Sequence, residues 1–169
     1  GKNIFFRIVV EVLFSLWVLV AVFDKKYRPK STPILWAILA TVFILTLSTI
    51  FGANPYRSFW SNYERMEGLI GHLHLLAYFV ILTSVFLKYT DWKRFFFVSL
   101  GVSFVVSSYA YFQSLGVIKV FQSSERVDAT LGNSTYLSIY IVFHLFLALY
   151  FLLNENRTWL RYVLAVLII

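Results

Sequence analysis

Two arginine-bearing segments hold the residues in this chain best suited to chemistry. The first, Asn54-Pro-Tyr-Arg-Ser-Phe-Trp-Ser-Asn-Tyr-Glu-Arg-Met-Glu-Gly68, sets Arg57 and Arg65 among aromatics, with Glu64 and Glu67 close by. The second, Ser124-Glu-Arg-Val-Asp-Ala-Thr-Leu-Gly-Asn-Ser-Thr-Tyr136, places Arg126 ahead of a Gly-Asn-Ser-Thr run at 132–135. A guanidinium is permanently charged and presents five donors in a fixed fork, which suits a phosphate or diphosphate. In the second segment Ser or Thr can cap a helix, and the free N–H groups of a helix start favour an anion. Arg126 and that helix end would then face the same anionic ligand. Each segment also has a plainer reading. The first can be an interfacial helix whose charges pair with one another and with lipid headgroups. The second can be an ordinary capped helix with Arg126 paired to Asp128 or Glu125.

Other polar residues stand inside apolar sequence. Arg7 and Glu11 are spaced i, i+4 and can pair within a membrane, since ionisable groups at depth face protein and not lipid. His144 follows Tyr136 and Tyr140 on one helix face, the setting of a buried, hydrogen-bonded histidine and not of a base or ligand. Ser99, Ser103 and Ser107 form a small-residue stripe suited to close helix packing. Cysteine is absent, so disulfides and thiolate metal sites are excluded, and the three histidines form no metal-ligand pattern. No metal or other cofactor is expected.

The elements that carry these residues are membrane helices. The chain of 169 residues is 60% hydrophobic and 14% charged, with a mean hydropathy of +0.76. A soluble domain carries roughly a quarter of charged residues. The apolar blocks are long and uninterrupted, unlike the ~10-residue alternating segments of an outer-membrane barrel. The fold class is therefore all-α, a polytopic transmembrane bundle forming a single domain over 1–169. Five full spans are expected, at about 4–23, 34–51, 71–87, 95–115 and 136–153, and a sixth, truncated, at 162–169. The ends read as those of an internal fragment of a larger multi-span protein. One set of loops holds Lys25, Lys26, Arg28, Lys30, Lys88, Lys93, Arg94, Arg157 and Arg161; the other holds Arg57, Arg65, Lys119 and Arg126. The basic excess assigns the first set to the cytoplasm, so both arginine-bearing segments lie outside. A net charge of +7 is thus explained by topology, without nucleic acid.

Taken together, SFWSNYERMEGL before one span and RVDATLGNSTYLSIY leading into another resemble the bacterial O-antigen ligase family. That superfamily also holds O-antigen polymerases and protein O-oligosaccharyltransferases. The resemblance covers about Gly1 to Leu153. Its sharpest element is Arg126, Gly132, Asn133 and Tyr136. The chain departs from the common Gly-Thr pattern by having Ala129-Thr130. The resemblance implies a metal-independent inverting glycosyltransferase in the bacterial inner membrane. It would move a glycan from an undecaprenyl-diphosphate carrier to a glycan or lipid acceptor on the outer face. Arg126 and Arg65 would then act on the diphosphate, with Arg57, Glu67, Gly68, Gly132 and Asn133 binding and shaping the site. A later loop would carry further essential residues, so the fragment alone is expected to be inactive. The competing classes are a transporter or flippase subunit, and a non-catalytic membrane scaffold or sensor. A transporter calls for broken helices and midplane charges, whereas the apolar blocks here show no clear Gly or Pro interruption.

Overall fold

The computed structural model describes residues 2–61, 68–120 and 126–168, and all regular structure in them is helical. In chain order the helices are α1 (Lys2–Phe23), α2 (Pro33–Ile50), α3 (Pro55–Trp60), α4 (Leu69–Val85), α5 (Tyr89–Ser114), α6 (Ser134–Asn154) and α7 (Thr158–Ile168). Their starts follow from capping chemistry. Thr32 Oγ1 accepts the Leu35 N–H at 3.2 Å and Pro33 opens α2. Asn54 Oδ1 does the same for Arg57 at 3.0 Å ahead of Pro55 in α3. A side-chain acceptor satisfies one orphan N–H, and proline at the first turn has none to lose.

Among the described residues four helices, α1, α2, α5 and α6, are long and apolar enough to cross a membrane. The third expected span corresponds to α4, whose 17 residues rise about 26 Å, less than the ~30 Å hydrocarbon core. The last corresponds to α7, which starts at Thr158 and has 11 described residues. Four of the expected spans are thus matched in full length among the described residues, and the expected count of five and a sixth is not confirmed. Several threonine hydroxyls inside the apolar helices are satisfied one turn back. Thr41, Thr46, Thr49 and Thr83 each donate to the carbonyl four residues earlier at 2.8–2.9 Å. In lipid this matters, because a polar group there finds no water to bond. Outward-facing apolar side chains such as Phe5, Phe23 and Phe51 are 72%, 88% and 83% exposed, a surface that suits a bilayer and not water.

The chain divides into two compact units, residues 1–88 and 89–169. In the first, α4 packs against both α1 and α2, and α3 lies against α2 and α4. The basic 24–32 loop folds back on α1 through a 3-10 turn at Lys25–Tyr27. There the Trp17 indole N–H donates to the Tyr27 carbonyl and Arg28 Nε to the Ala21 carbonyl, both at 3.0 Å. In the second unit α6 is central, contacting α5 and α7. Leu100, Ala148, Phe151 and Leu164 form one buried cluster, and Ala110, Ala129 and Leu137 another beneath the 115–133 connection.

Candidate anion-binding site

Within the second unit, the loop that carries Arg126 is held by one side chain. Gln113, in the last turn of α5, is buried and makes three hydrogen bonds to that loop. Its Nε2 donates to the Lys119 carbonyl at 3.2 Å and to Asp128 Oδ1 at 3.0 Å, and its Oε1 accepts the Ala129 N–H at 2.7 Å. A side-chain amide carries donor and acceptor on separate atoms, so one residue can serve both kinds of partner. Asp128 is only 1% exposed, and its Oδ2 has no hydrogen-bond partner among the described residues. The turn then closes on Asp128 itself, whose carbonyl accepts from Leu131 and Gly132 at 3.1 and 3.2 Å.

This turn uses two residues in the left-handed region, Ala129 at φ 47° and Gly132 at φ 74°. Glycine enters that region without a Cβ conflict, whereas alanine does so at a cost of ~1 kcal/mol or more. At Ala129 the bond to Gln113 and the burial of the methyl group against Ala110 and Leu137 hold the residue there. The departure from the common Gly-Thr pattern thus falls on a position whose backbone favours glycine. Asn133 follows as the cap of α6, its Oδ1 accepting the Thr135 N–H at 2.8 Å.

Arg126 stands at the start of this turn and is exposed. Among the described residues it has no ion-pair partner. Of the two acids expected to pair with it, Asp128 is turned inward to Gln113, and Glu125 lies outside the described residues. Below the turn an open apolar groove of about 400 Å³ runs along α6, lined by Leu131, Tyr136, Ile139, Tyr140 and Phe143. An exposed cation, a capped helix end and an apolar groove thus occur in one short stretch of chain. A lipid-linked anion demands that combination: donors for the charged group and apolar surface for the tail.

The remaining expected residues fall elsewhere. Arg65 and Glu67 lie outside the described residues. Arg57 is exposed on α3 in the first unit. Gly68 belongs to the junction of α3 with α4, where it packs against the Phe59 backbone; its carbonyl lies 3.3 Å from His72 Nδ1. Arg126, Gly132 and Asn133 are thus brought onto one turn, while Arg57 and Gly68 belong to the other unit.

His144 is buried, as its helical face suggests, with Nδ1 2.8 Å from the Tyr140 carbonyl and Nε2 2.9 Å from Ser99 Oγ. The serine stripe is accordingly more than a packing seam, because Ser99 hydrogen-bonds to α6. Sequence reasoning missed Gln113 and the inward turn of Asp128. The available signal was an amide at the end of an apolar helix, followed fifteen residues later by an acid. The chain matches no protein-family model, no curated protein and no solved structure.

Proposed function

We propose that this chain is part of a membrane glycosyltransferase of the O-antigen ligase type. It takes a glycan from an undecaprenyl-diphosphate carrier and delivers it to an acceptor at the outer face of the bacterial inner membrane. The observation that carries this reading is the exposed Arg126, which among the described residues has no ion pair while Asp128 is committed to Gln113. An exposed guanidinium on a loop pinned in this way can meet an anion arriving from outside. The groove beside it offers a polyprenyl chain an apolar surface.

In this role Arg126 stabilises the charge that builds on the departing diphosphate as the glycosidic bond to it breaks. Gln113 and Asp128 keep the loop in place. Gly132 permits the turn, and Asn133 caps the start of α6. Arg65, Arg57 and Glu67 are proposed as further contacts of the outer segment that precedes α4.

The test uses full-length protein in liposomes with a lipid-linked glycan donor and an acceptor. Arg126→Ala should lower transfer roughly a hundredfold, equivalent to ~3 kcal/mol of transition-state stabilisation. Arg126→Lys should recover little of it, since the charge remains but the planar fork is lost. Lys119→Ala is the control: its side chain is exposed on the same loop, while only its backbone carbonyl is held by Gln113. Transfer by Arg126→Ala equal to that of Lys119→Ala, at matched expression, removes the diphosphate assignment.

A further inference from the structure

The three histidines differ in what their second ring nitrogen meets. At His144, Nδ1 faces the Tyr140 carbonyl at 2.8 Å, and a carbonyl only accepts, so Nδ1 carries the hydrogen. Its Nε2 faces a serine hydroxyl, which can donate. A neutral imidazole satisfies both bonds. His74 makes the same first bond, Nδ1 to the Ile70 carbonyl at 2.7 Å. Its Nε2, however, faces Glu11 Oε1 at 3.1 Å. A carboxylate has no hydrogen to give, and an imidazole already protonated at Nδ1 has none at Nε2. Two lone pairs would confront each other unless the pair holds one more proton. That proton makes His74 an imidazolium beside a carboxylate, or makes Glu11 a neutral acid donating to a neutral ring. The proton count and the net charge of zero are the same in both.

We propose that Glu11 and His74 form a proton-binding site between α1 and α4, a site in which one proton joins the two helices. This inference stands apart from the glycosyltransferase reading. Glu11 lies near the middle of α1, nine residues or about 13 Å from its first residue, in an otherwise apolar stretch. Ionisable groups at such depth are costly and mark functional pairs. The other titratable groups on the elements around it are few. Arg7 is one turn earlier on α1, and α4 carries His72 and Tyr78. The short α3 carries Tyr56 and Arg57, the 3-10 turn carries Lys25, Lys26 and Tyr27, and α2 has none. The His74 side chain is 10% exposed and that of Glu11 67%, so Glu11 is the more accessible of the two partners. Uptake needs no co-reactant: a proton from solution forms the bridging N–H or O–H bond, and release breaks it. Release leaves a carboxylate facing a lone pair, which weakens the contact between α1 and α4.

Nitrogen-15 NMR of histidine-labelled full-length protein in liposomes tests the proposal, with signals assigned through His72→Gln, His74→Gln and His144→Gln. At pH 7 the wild-type His74 should be doubly protonated, or neutral at Nδ1–H with an infrared band of a protonated Glu11 carboxyl. In Glu11→Gln, whose amide can donate to Nε2, His74 should become a plain neutral Nδ1–H ring. A wild-type His74 that is neutral with no protonated Glu11 carboxyl overturns the proposal, and this arm needs no variant to fold. A His74 signal indifferent to Glu11→Gln overturns it as well. Neither outcome bears on glycan transfer at Arg126.

Discussion

At Gly68 the neighbouring backbone leaves room for a hydrogen and nothing larger. An added Cβ would stand 2.2 Å from the Phe59 carbonyl oxygen and 2.8 Å from the Ser61 nitrogen. Both contacts are backbone, so the strain cannot be relieved by rotating a side chain. Gly132 is required for a different reason, its φ of 74°, and no heavy atom lies within 4 Å of the position a Cβ would take. The two glycines should therefore respond unequally to alanine. Gly132→Ala should cost about 1 kcal/mol, the strain of a left-handed residue. Gly68→Ala should cost about 3 kcal/mol, the upper range of overpacking in a close-packed interior. Thermal unfolding in detergent, followed by a reporter on each unit, measures both. Equal small losses would contradict the close approach of α3 to α4. Sequence reading had both glycines shaping a substrate site; Gly68 has a structural task whatever it binds.

Between elements, the pairing of α5 with α6 ends on an ion pair. Lys93 Nζ, in the first turns of α5, lies 2.6 Å from Glu155 Oε2 just past the end of α6, and the Glu155 side chain is 4% exposed. The Lys93 hydrogen bond holds the Glu155 carboxyl below its ordinary value of 4.5, and the Arg157 backbone N–H adds to the effect. A carboxyl with a depressed folded value stabilises the fold above its unfolded value, and this contribution is lost as pH falls through the folded one. Stability of the second unit should thus be level above about pH 4.5 on this account and decline below it. Glu155→Gln should flatten that decline. A thermal melt of the full-length protein across pH 3 to 7, wild type against variant, checks it; parallel curves would show that the pair contributes nothing. The same ends of α5 and α6 carry Phe97 and Phe151, whose rings stand 5.0 Å apart, so apolar packing and the ion pair close the same junction.

For the whole molecule, the distribution of basic residues sets an expectation that labelling can decide. Lys25, Lys26, Arg28 and Lys30 crowd the connection from α1 to α2, whereas the connection from α2 to α4 holds Arg57 and Arg65. The positive-inside rule then puts Ser31 in the cytoplasm and Ser58 outside. The chain has no native cysteine, so a single Ser58→Cys or Ser31→Cys gives an unambiguous signal. Ser58→Cys should react with a membrane-impermeant thiol reagent in intact cells, as should Lys119→Cys, and Ser31→Cys should not. Labelling of Ser31→Cys alone would reverse the orientation and put Arg126 on the wrong side for an outer-face reaction. Both Ser31 and Ser58 are exposed, so failure to label reports the side of the membrane and not burial.

The helices themselves were legible in the residues, because apolar runs of about 20 and capping residues such as Thr32, Asn54 and Asn133 act locally. Hydropathy marked α4 and α7 as well, but it responds to composition and does not set where a helix stops; α4 proved shorter than a full span. What the tertiary structure alone decided is which polar group meets which. Glu11 had Arg7 one turn away as its evident partner, yet its carboxylate reaches His74, 63 residues further along the chain. Asp128 had Arg126 two residues away, yet it bonds Gln113 on the preceding helix. Spacing within one segment reports only the neighbours that the helix or turn supplies. Which helix packs alongside depends on how whole faces fit, and in an apolar bundle groups such as Glu11 and Asp128 take the partner that this packing brings within reach.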